Sequence, residues 1–400
     1  MLYIRKAMDS IMRISQRCQR VTGSLTLAID AKAKEMKQKG IDVVGFGAGE
    51  PDFDTPEHIR KAAKDALDLG KTRYTPAAGM PELRQAICDK LKRDNGLDYV
   101  PQQIVVSNGA KHSLFNSFQA LLEEGDEVIV PGPYWVSYPE IVRMAGGVPV
   151  IVEGREENNF KPTIDDFRAA VTDKTRAVVI NSPNNPNGFV FTREELQAIG
   201  DLAIEKDLSI VSDEIYEFLV YDGAEHISIA SLSPEIKERT IVINGFSKTY
   251  AMTGWRMGYA AGPKEIISPM TKLHQYGIMS APTMSQYAAI EALKNGDDDI
   301  AEMRDQYDMR RRLIVDGLNR LGLTCFEPEG AFYVFPSIQS TGMTSDEFCE
   351  RLIYDKHVAV VPGSAFGACG EGFVRISYAY SIKHLAEALN RIGAFLKELK

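Results

Sequence analysis

Residues 245–259 read GFSKTYAMTGWRMGY and follow the β-branched run TIVIN at 240–244, which predicts a buried strand. A lysine at the end of a buried strand lies in a partly desolvated environment. Its charged form is disfavoured there, so the amine of Lys248 is a candidate nucleophile toward a carbonyl. Arg256, eight residues later, carries a planar fork of donors that suits phosphate. A lone Lys-x7-Arg pair also occurs in solvated loops, so the interpretation depends on the rest of the chain.

Length and composition predict a globular protein of two domains, since 400 residues exceed one typical domain. A net charge of -9 argues against a nucleic-acid or membrane-surface partner, and no apolar run is long enough to span a membrane. The five cysteines include no C-x-x-C pair and are expected to be reduced thiols, with no metal site. The basic first twenty residues are weakly similar to a transit peptide, but no apolar core follows, and we expect a cytoplasmic protein.

From about residue 100, short apolar runs alternate with helical stretches, a pattern typical of a largely parallel sheet covered by helices. The predicted strands lie at 104–106, 128–131, 177–180, 208–212, 240–244 and 259–262. Three more, at 331–335, 358–361 and 373–378, predict a second, smaller domain.

Helix signals fill the intervals between these strands. Helices are predicted at 27–39, 81–95, 283–295, 345–356 and 382–399. Thr55 is expected to cap a helix that opens at Pro56 and ends at Gly70. A long charged helix at 298–321 carries three consecutive arginines at 310–312, which are predicted to form a solvated face.

Several candidate ligand-binding residues follow strands, where α/β sheets bind their ligands. The turn SNGAK at 107–111 precedes a helix N-terminus and predicts an anion site. Trp135 is either a core residue or a platform for a flat ring. Asp213 and Glu214 lie at the end of a strand. Side chains alternate along a strand, so only one of the two can face a ligand. A buried carboxylate is stable only beside a cation, so that ligand is expected to be cationic. Arg375 lies between Val374 and Ile376, so one strand face carries a lone charge among apolar neighbours, a pattern typical of an outward-facing arginine on an edge strand.

Residues 245–258 resemble the lysine signature of class I pyridoxal-phosphate-dependent aminotransferases, and N-x-P-x-N-P-x-G at 181–188 matches the same family. The resemblance is to the bacterial aspartate-aminotransferase-like subgroup and runs from about residue 15 to the C-terminus. It implies an α/β, fold-type-I transferase whose large domain has a mostly parallel sheet flanked by helices, beside a smaller α+β domain. We expect the large domain at 50–290, the small domain at 12–49 and 291–400, and an N-terminal extension at 1–11.

The resemblance also implies residue roles. Lys248 would bond the cofactor pyridoxal 5'-phosphate, Asp213 would face its ring nitrogen, and Tyr216 its 3-oxygen. Tyr74 would reach the phosphate of a neighbouring subunit, which implies a homodimer with shared active sites. The other implied cofactor ligands are Gly109, Ala110, Lys111, Trp135, Asn185, Ser247 and Arg256. The implied substrate ligands are Gly49, Lys111, Trp135, Asn185 and Arg375.

Two positions depart from the family pattern. The family often has Ser where Gly245 stands, and the hydroxyl of that Ser binds phosphate. It usually has Thr where Asn187 stands.

The predicted activity is transfer of an amino group between an L-amino acid and 2-oxoglutarate by a ping-pong mechanism. Aspartate is favoured because Lys111 offers a second cation for a distal carboxylate. The segment HQYGIMSAP at 274–282 instead resembles relatives that act on aromatic or N-acetyl-diaminopimelate substrates. Thr22 stands where relatives that accept prephenate tend to have Lys, which makes prephenate less favoured.

Two alternatives to amino transfer are an elimination reaction and non-catalytic binding of the cofactor. A pyridoxal-phosphate-dependent β-elimination at a C–S bond would use most of the same residues. A non-catalytic cofactor-binding regulator would need an appended DNA-binding module, for which neither the length nor the acidic charge leaves room.

Overall fold

The computed structural model describes residue 12 and residues 14–399, so the predicted extension at 1–11 lies outside the described residues. The strands are β1 (Val44–Gly45), β2 (Ile104–Ser107), β3 (Glu127–Gly132), β4 (Val148–Glu153), β5 (Thr175–Asn181), β6 (Ser209–Asp213), β7 (Thr240–Gly245), β8 (Gly258–Ala261), β9 (Tyr333–Val334), β10 (Val358–Ala359), β11 (Val361–Pro362) and β12 (Val374–Ser377).

The helices surround these strands on both sides. They are α1 (Gln16–Gln19), α2 (Leu25–Gln38), α3 (Glu57–Asp68), α4 (Pro81–Asn95), α5 (Ala110–Leu121), α6 (Ser137–Met144), α7 (Ile164–Ala170), α8 (Arg193–Glu205), α9 (Pro234–Lys237), α10 (Lys264–Gly277), α11 (Thr283–Asn295), α12 (Asp297–Arg320), α13 (Ser345–Lys356) and α14 (Ile382–Glu398). In the described part of the chain, no helix is long and apolar enough to cross a membrane.

The main sheet has seven strands in the order β2-β8-β7-β6-β5-β3-β4. All neighbours are parallel except β8, which runs antiparallel to both β2 and β7. The structure therefore confirms the predicted mostly parallel sheet. The edge strand β4 was not predicted. It contains Pro149, and a proline within a strand is tolerated mainly at a sheet edge.

Parallel pairing brings the carboxyl ends of the central strands together. Asn181 at the end of β5 pairs with Asp213 at the end of β6, and Asp213 pairs with Ile243 of β7. Lys248 follows the end of β7 by three residues. The polar residues that the sequence places after separate strands consequently meet at one edge of the sheet.

Two smaller sheets lie outside the main sheet, and one of them joins the N-terminal and C-terminal parts of the described chain. β1 pairs with β10 in parallel, and β12 lies between β11 and β9 in a three-stranded antiparallel sheet. Arg375 is thus on a central strand, and its residue is 3% exposed. The alternative of an outward-facing arginine on an edge strand is wrong.

The predicted solvated face of arginines on α12 is also wrong for two of its three members. Arg311 is 1% exposed, with Nε 2.9 Å from Asp308 Oδ1 and a second ion pair to Asp222. Arg310 Nη1 donates to Asp52 Oδ1 at 2.6 Å. Asp52 and Asp222 compensate the buried charges of Arg310 and Arg311. Because both aspartates are distant in sequence, the pattern of the helix could not reveal these ion pairs. Arg312 alone of the three is exposed.

Thr55 does not cap α3, contrary to the prediction. The residue at the cap position is Pro56, and no side chain makes the capping hydrogen bond. The Thr55 hydroxyl instead donates to the Ala251 carbonyl at 2.7 Å and accepts from Trp255 Nε1 at 2.9 Å. It therefore ties the segment before α3 to the segment after Lys248.

Candidate active site

A cavity of about 450 Å³ opens at the carboxyl ends of β5, β6 and β7, beside the three-stranded sheet. Most of the residues singled out from the sequence line it. They are Gly49, Ala110, Lys111, Trp135, Asn185, Asp213, Tyr216, Ser247, Lys248, Arg256 and Arg375. The structure thus brings together side chains that are spread over more than 300 positions of the chain.

Lys248 is partly exposed, toward this cavity, and its Nζ donates to the Gly49 carbonyl. Burial lowers the pKa of Lys248 to about 8, and the nearby cations Arg375 and Arg256 act in the same direction, while Glu50 opposes them. A lysine with this pKa has an appreciable neutral fraction near pH 7–8. The Lys248 amine is therefore available as a nucleophile and as a base.

Asp213 is 3% exposed, and two donors hold its carboxyl group. The Tyr138 hydroxyl donates to Oδ2 at 2.7 Å, and the Ile215 N–H donates to Oδ1 at 3.3 Å. Burial raises the pKa of Asp213 to about 6, although both hydrogen bonds favour its ionised form. A carboxyl group in this state strongly favours a cationic ligand.

Glu214 points away from Asp213, as strand alternation predicts. Its Oε1 accepts hydrogen bonds from the hydroxyls of Ser212 at 2.8 Å and Ser228 at 2.7 Å. The imidazole of His226 lies 3.3 Å from its other oxygen. Glu214 does not line the cavity, so Asp213 alone of the pair faces it.

Tyr138 is a site residue that the sequence reasoning missed. It lies on α6, fully buried, and its ring packs edge-on against Trp135 with centroids 5.3 Å apart. Burial and the Asp213 carboxylate raise its pKa well above the ordinary value, so it stays a donor. No local signal distinguishes Tyr138 from a core tyrosine, because its partner lies 75 positions away.

The N-terminus of α5 lies beside the Arg256 guanidinium. N–H groups at the start of a helix lack helical acceptors, so such a helix end suits an anion. A Cβ at Gly109, whose φ is +85°, would collide with the Arg256 guanidinium. A Cβ at Gly258 would likewise collide with the backbone of Ala110. Both glycines are required for Arg256 and β8 to approach the helix end.

Gly245 stands where the family often has Ser, and the structure gives a reason for the glycine. A Cβ there would lie 2.9 Å from the Met257 carbonyl oxygen and 3.1 Å from the Gly258 Cα. The backbone of the Arg256 segment fills the space that a serine side chain would need. Ser247 and Arg256 line the cavity on this side.

Arg375 has its guanidinium fixed on two sides. Nη1 donates to Asn185 Oδ1 at 3.0 Å, and Nη2 donates to the Gly47 carbonyl at 2.8 Å. Its buried Nε has no partner among the described residues. A fixed, buried cation that lines a cavity and keeps donors free is suited to a carboxylate.

Lys111 lies with its Nζ 4.7 Å from the centre of the Trp135 ring. Burial lowers the pKa of Lys111, and the Arg256 charge adds to that effect. No carboxylate of the described chain forms an ion pair with Lys111. Lys111 is therefore a further cation in the cavity, besides Arg375 and Arg256, and it is free to meet an anion.

Two predicted site residues do not line the cavity. Gly109 contributes the turn behind it, and Tyr74 is 85% exposed on the surface loop before α4. That loop is anchored by His274 Nδ1, 2.8 Å from the Ala77 carbonyl, and by the Thr283 hydroxyl, which donates to the Arg73 carbonyl at 2.7 Å. Tyr74 makes no contribution to the site of its own chain.

The site thus places a lysine, a buried aspartate and a fixed arginine in one cavity at the carboxyl ends of a mostly parallel sheet. The family model "Aminotransferase class I and II" matches residues 41–392. The chain belongs to the class I and II aminotransferases, and it is an aminotransferase.

Named relatives cover almost the whole chain. An aspartate aminotransferase from Bacillus sp. (strain YM-2) is 53% identical over 390 residues, which are 96% of this chain and 99% of the relative. An aspartate/prephenate aminotransferase from Thermus thermophilus is 48% identical, over 96% of this chain and 98% of the relative. A solved structure described as Thermus thermophilus aspartate aminotransferase with maleate superposes with a TM-score of 0.92 at 47% identity, covering 96% and 100% of the two chains.

Proposed function

We propose that this aminotransferase uses pyridoxal 5'-phosphate and exchanges an amino group between L-aspartate and 2-oxoglutarate by a ping-pong mechanism. The observation that carries the proposal is the position of the Lys248 amine, which lies in the cavity and donates to the Gly49 carbonyl. The buried Asp213 carboxyl group and the fixed Arg375 guanidinium line the same cavity.

The residues present fit pyridoxal phosphate. The N-terminus of α5, with Ser247 and Arg256, would hold the phosphate, since free N–H groups and a cation converge there. Asp213 would pair with the ring nitrogen, which supplies the cation that its burial requires. Trp135, Asn185 and Tyr216 would contact the ring and its 3-oxygen, in keeping with the family. When bound, the cofactor supplies a ring that withdraws electrons from the substrate Cα.

The chain's own residues then have distinct tasks. Arg375 binds the substrate α-carboxylate through its fixed guanidinium, with Asn185 holding one end of that group at 3.0 Å. With the cofactor bound, the ionised Asp213 would keep a proton on the ring nitrogen. The Lys248 amine would accept the proton from the substrate Cα as a base and return it as an acid.

A dicarboxylate substrate is supported by the second free cation. Arg375 and Lys111 line one cavity, and two carboxylates are the charge pattern that complements two cations. Maleate, named with the Thermus thermophilus structure, is a four-carbon dicarboxylate. Thr22 bonds through its N–H and hydroxyl to Glu140, both at 3.0 Å, so this position supplies no cation for prephenate.

The test is a visible absorption spectrum of the protein supplied with pyridoxal phosphate, before and after L-aspartate. We expect a visible band that is lost with aspartate and returns with 2-oxoglutarate. A band that aspartate leaves unchanged would contradict the substrate, and phenylalanine and prephenate would then be compared as donor and acceptor. Pyruvate and ammonia formed without an oxo-acid acceptor from a C–S substrate would indicate β-elimination. No band at all would contradict the cofactor.

Replacing Lys111 with Gln should lower kcat/KM for L-aspartate by about 30-fold, because a charge-assisted contact to the distal carboxylate is lost. The same variant should keep kcat/KM for L-phenylalanine within about threefold, since that side chain carries no carboxylate. Steady-state kinetics with both donors make the comparison.

Lys34→Gln is the matched control for this change. Lys34 also lines the cavity, but its Nζ lies 2.7 Å from Asp30 Oδ2. Its charge is already compensated, so kcat/KM for aspartate should stay near the wild-type value. An equal loss with aspartate and phenylalanine in Lys111→Gln would contradict the assigned role.

We also propose a homodimer with shared sites. Support comes from Tyr74 and Tyr276, which are 85% and 90% exposed and belong to segments that hydrogen bonds join at Ala77 and His274. Large exposed aromatic residues are typical of protein interfaces. Sedimentation of the wild-type protein as a monomer at micromolar concentration would contradict this assembly.

The domain division at 50–290 against 12–49 and 291–400 remains a proposal as well. The seven-stranded sheet draws its strands from residues 104–261, whereas the two small sheets use residues 44–45 and 333–377. Hydrogen exchange in which both parts open as one unit would contradict the division.

We further propose a cytoplasmic location. The five cysteines are free in the structure, and three of them are buried, which suits a reducing compartment. Recovery of the protein in another cell fraction would contradict this location.

A further inference from the structure

Tyr333 is a fully buried residue that lines the cavity and was not among the predicted site residues. It lies on β9, opposite Ser377 of β12. Its hydroxyl oxygen is 2.9 Å from that of Tyr216, and the centre of its ring is 4.6 Å from the guanidinium carbon of Arg375. One side chain therefore contacts both the residue assigned to the cofactor 3-oxygen and the residue assigned to the substrate carboxylate.

The Tyr333 hydroxyl is also close to the backbone that contacts Lys248. A Cβ at Gly49 would lie 2.5 Å from the Tyr333 hydroxyl oxygen, so only glycine leaves room for it. The Gly49 carbonyl accepts the hydrogen bond of the Lys248 amine. The position of Tyr333 is thus fixed by close packing on one side and by Tyr216 on the other.

Either tyrosine of this pair can donate the hydrogen bond that joins them, and both line the cavity. Burial raises the pKa of both hydroxyls, so each carries its hydrogen at neutral pH. Among the described residues, Tyr216 is the sole hydrogen-bond partner of the Tyr333 hydroxyl. Tyr216 itself lines the cavity, where a ligand oxygen can accept its hydrogen.

We propose that Tyr333 is a positioning residue for amino transfer. Its hydroxyl donates to Tyr216, which leaves the Tyr216 hydrogen directed at the cofactor 3-oxygen, and its ring supports the Arg375 guanidinium in position for the substrate carboxylate. This inference rests on the proposed function, because it concerns how Tyr216 and Arg375 are held for those ligands.

Tyr333→Phe separates the two contacts, because it removes the hydroxyl and keeps the ring. We expect kcat to fall about fivefold to tenfold, the effect of one lost hydrogen bond. With the cofactor bound, a less polarised Tyr216 would leave more negative charge on the 3-oxygen, and this charge would hold a proton on the Lys248 nitrogen more tightly. In a titration of the visible band of the holoenzyme against pH, the midpoint should therefore rise by about 0.5 unit. KM for aspartate and Kd for maleate should stay within about twofold.

Tyr333→Leu removes the ring as well as the hydroxyl. We expect Kd for maleate and KM for aspartate to rise about tenfold above those of Tyr333→Phe, because Arg375 loses the aromatic face beside it. The other charged groups that act on Lys248 are Glu50, Asp213, Arg256 and Arg375, and none is changed in Tyr333→Phe. A shifted midpoint in the Phe variant is thus attributable to the tyrosine pair.

Tyr378→Phe is the matched control. Tyr378 is fully buried, and its hydroxyl donates to the Ala331 carbonyl at 3.0 Å, which also accepts from Tyr221 at 2.6 Å. It does not line the cavity, so its loss should change Tm without changing the midpoint. A Tyr333→Phe enzyme with wild-type kcat and midpoint, or with the same changes as Tyr378→Phe, would overturn the inference alone. A wild-type protein without a visible band would overturn it together with the cofactor assignment.

Discussion

Lys248→Ala should reduce turnover by at least about 10⁴-fold, because the variant loses the group that moves the proton at the substrate Cα. The remaining contacts from Asp213, Ser247 and Arg256 should still hold pyridoxal phosphate without a covalent bond. Borohydride treatment should therefore add the cofactor mass to the wild-type chain and leave the variant chain unchanged. A coupled assay of turnover and intact-protein mass spectrometry measure the two effects.

Lys272→Ala is the control for this substitution, since Lys272 is an exposed lysine on α10. It should retain wild-type turnover and the borohydride-dependent mass increase. Near-normal turnover in Lys248→Ala would refute the assignment of the catalytic lysine. A mass increase in Lys248→Ala would show that another lysine bonds the cofactor.

Asp213→Asn should lower kcat by about 10³-fold, which corresponds to ~4 kcal/mol, because a neutral amide cannot keep the ring nitrogen protonated. The free chain has an Asp213 pKa of about 6, and a cationic ring would favour the ionised form. Below pH 6, cofactor binding therefore requires that the Asp213 carboxyl group lose its proton. Wild-type affinity for the cofactor should fall up to tenfold per pH unit there, and Asp213→Asn should lack this dependence. Equilibrium dialysis between pH 5 and 8 measures it.

Glu214→Gln provides the comparison within the same strand end. Glu214 is as deeply buried as Asp213 but bonds to Ser212, Ser228 and His226 on the opposite side. Its replacement should lower Tm while leaving kcat within about threefold of wild type. Equal losses of kcat in both variants would mean that burial of charge, and not contact with the ring, explains the Asp213 result.

The sequence predicted helix boundaries well where a capping residue, a proline or a glycine marks the end of the helix. α4 begins at Pro81 and ends at Asn95, as predicted, with Gly96 left-handed at its C-terminus. α8 begins after Thr192, whose side chain forms a capping box with Glu195. Such contacts span three or four residues, so the sequence displays both partners at once.

Thr55 shows the limit of the same reasoning. Its neighbour Pro56 suggested a cap, but the hydroxyl bonds to Ala251 and Trp255, about 200 positions away. Arg310 and Arg311 are comparable, since their buried charges are compensated by Asp52 and Asp222. Helix periodicity carries no information about a partner on a distant segment.

The sequence by itself determined the alternation of strands and helices, and this alternation specifies a mostly parallel sheet. Asn185, Asp213 and Lys248 end or follow strands of that sheet and therefore lie together at its carboxyl ends. That result depends on the periodicity of apolar residues and on the geometry of parallel strands, which are local and general. Only the tertiary structure decided which side chains hold those residues in place. Tyr138 against Asp213 and Tyr333 against Tyr216 are contacts across 75 and 117 positions. Their physical basis is burial beside a distant polar group, which arises only when the chain is folded.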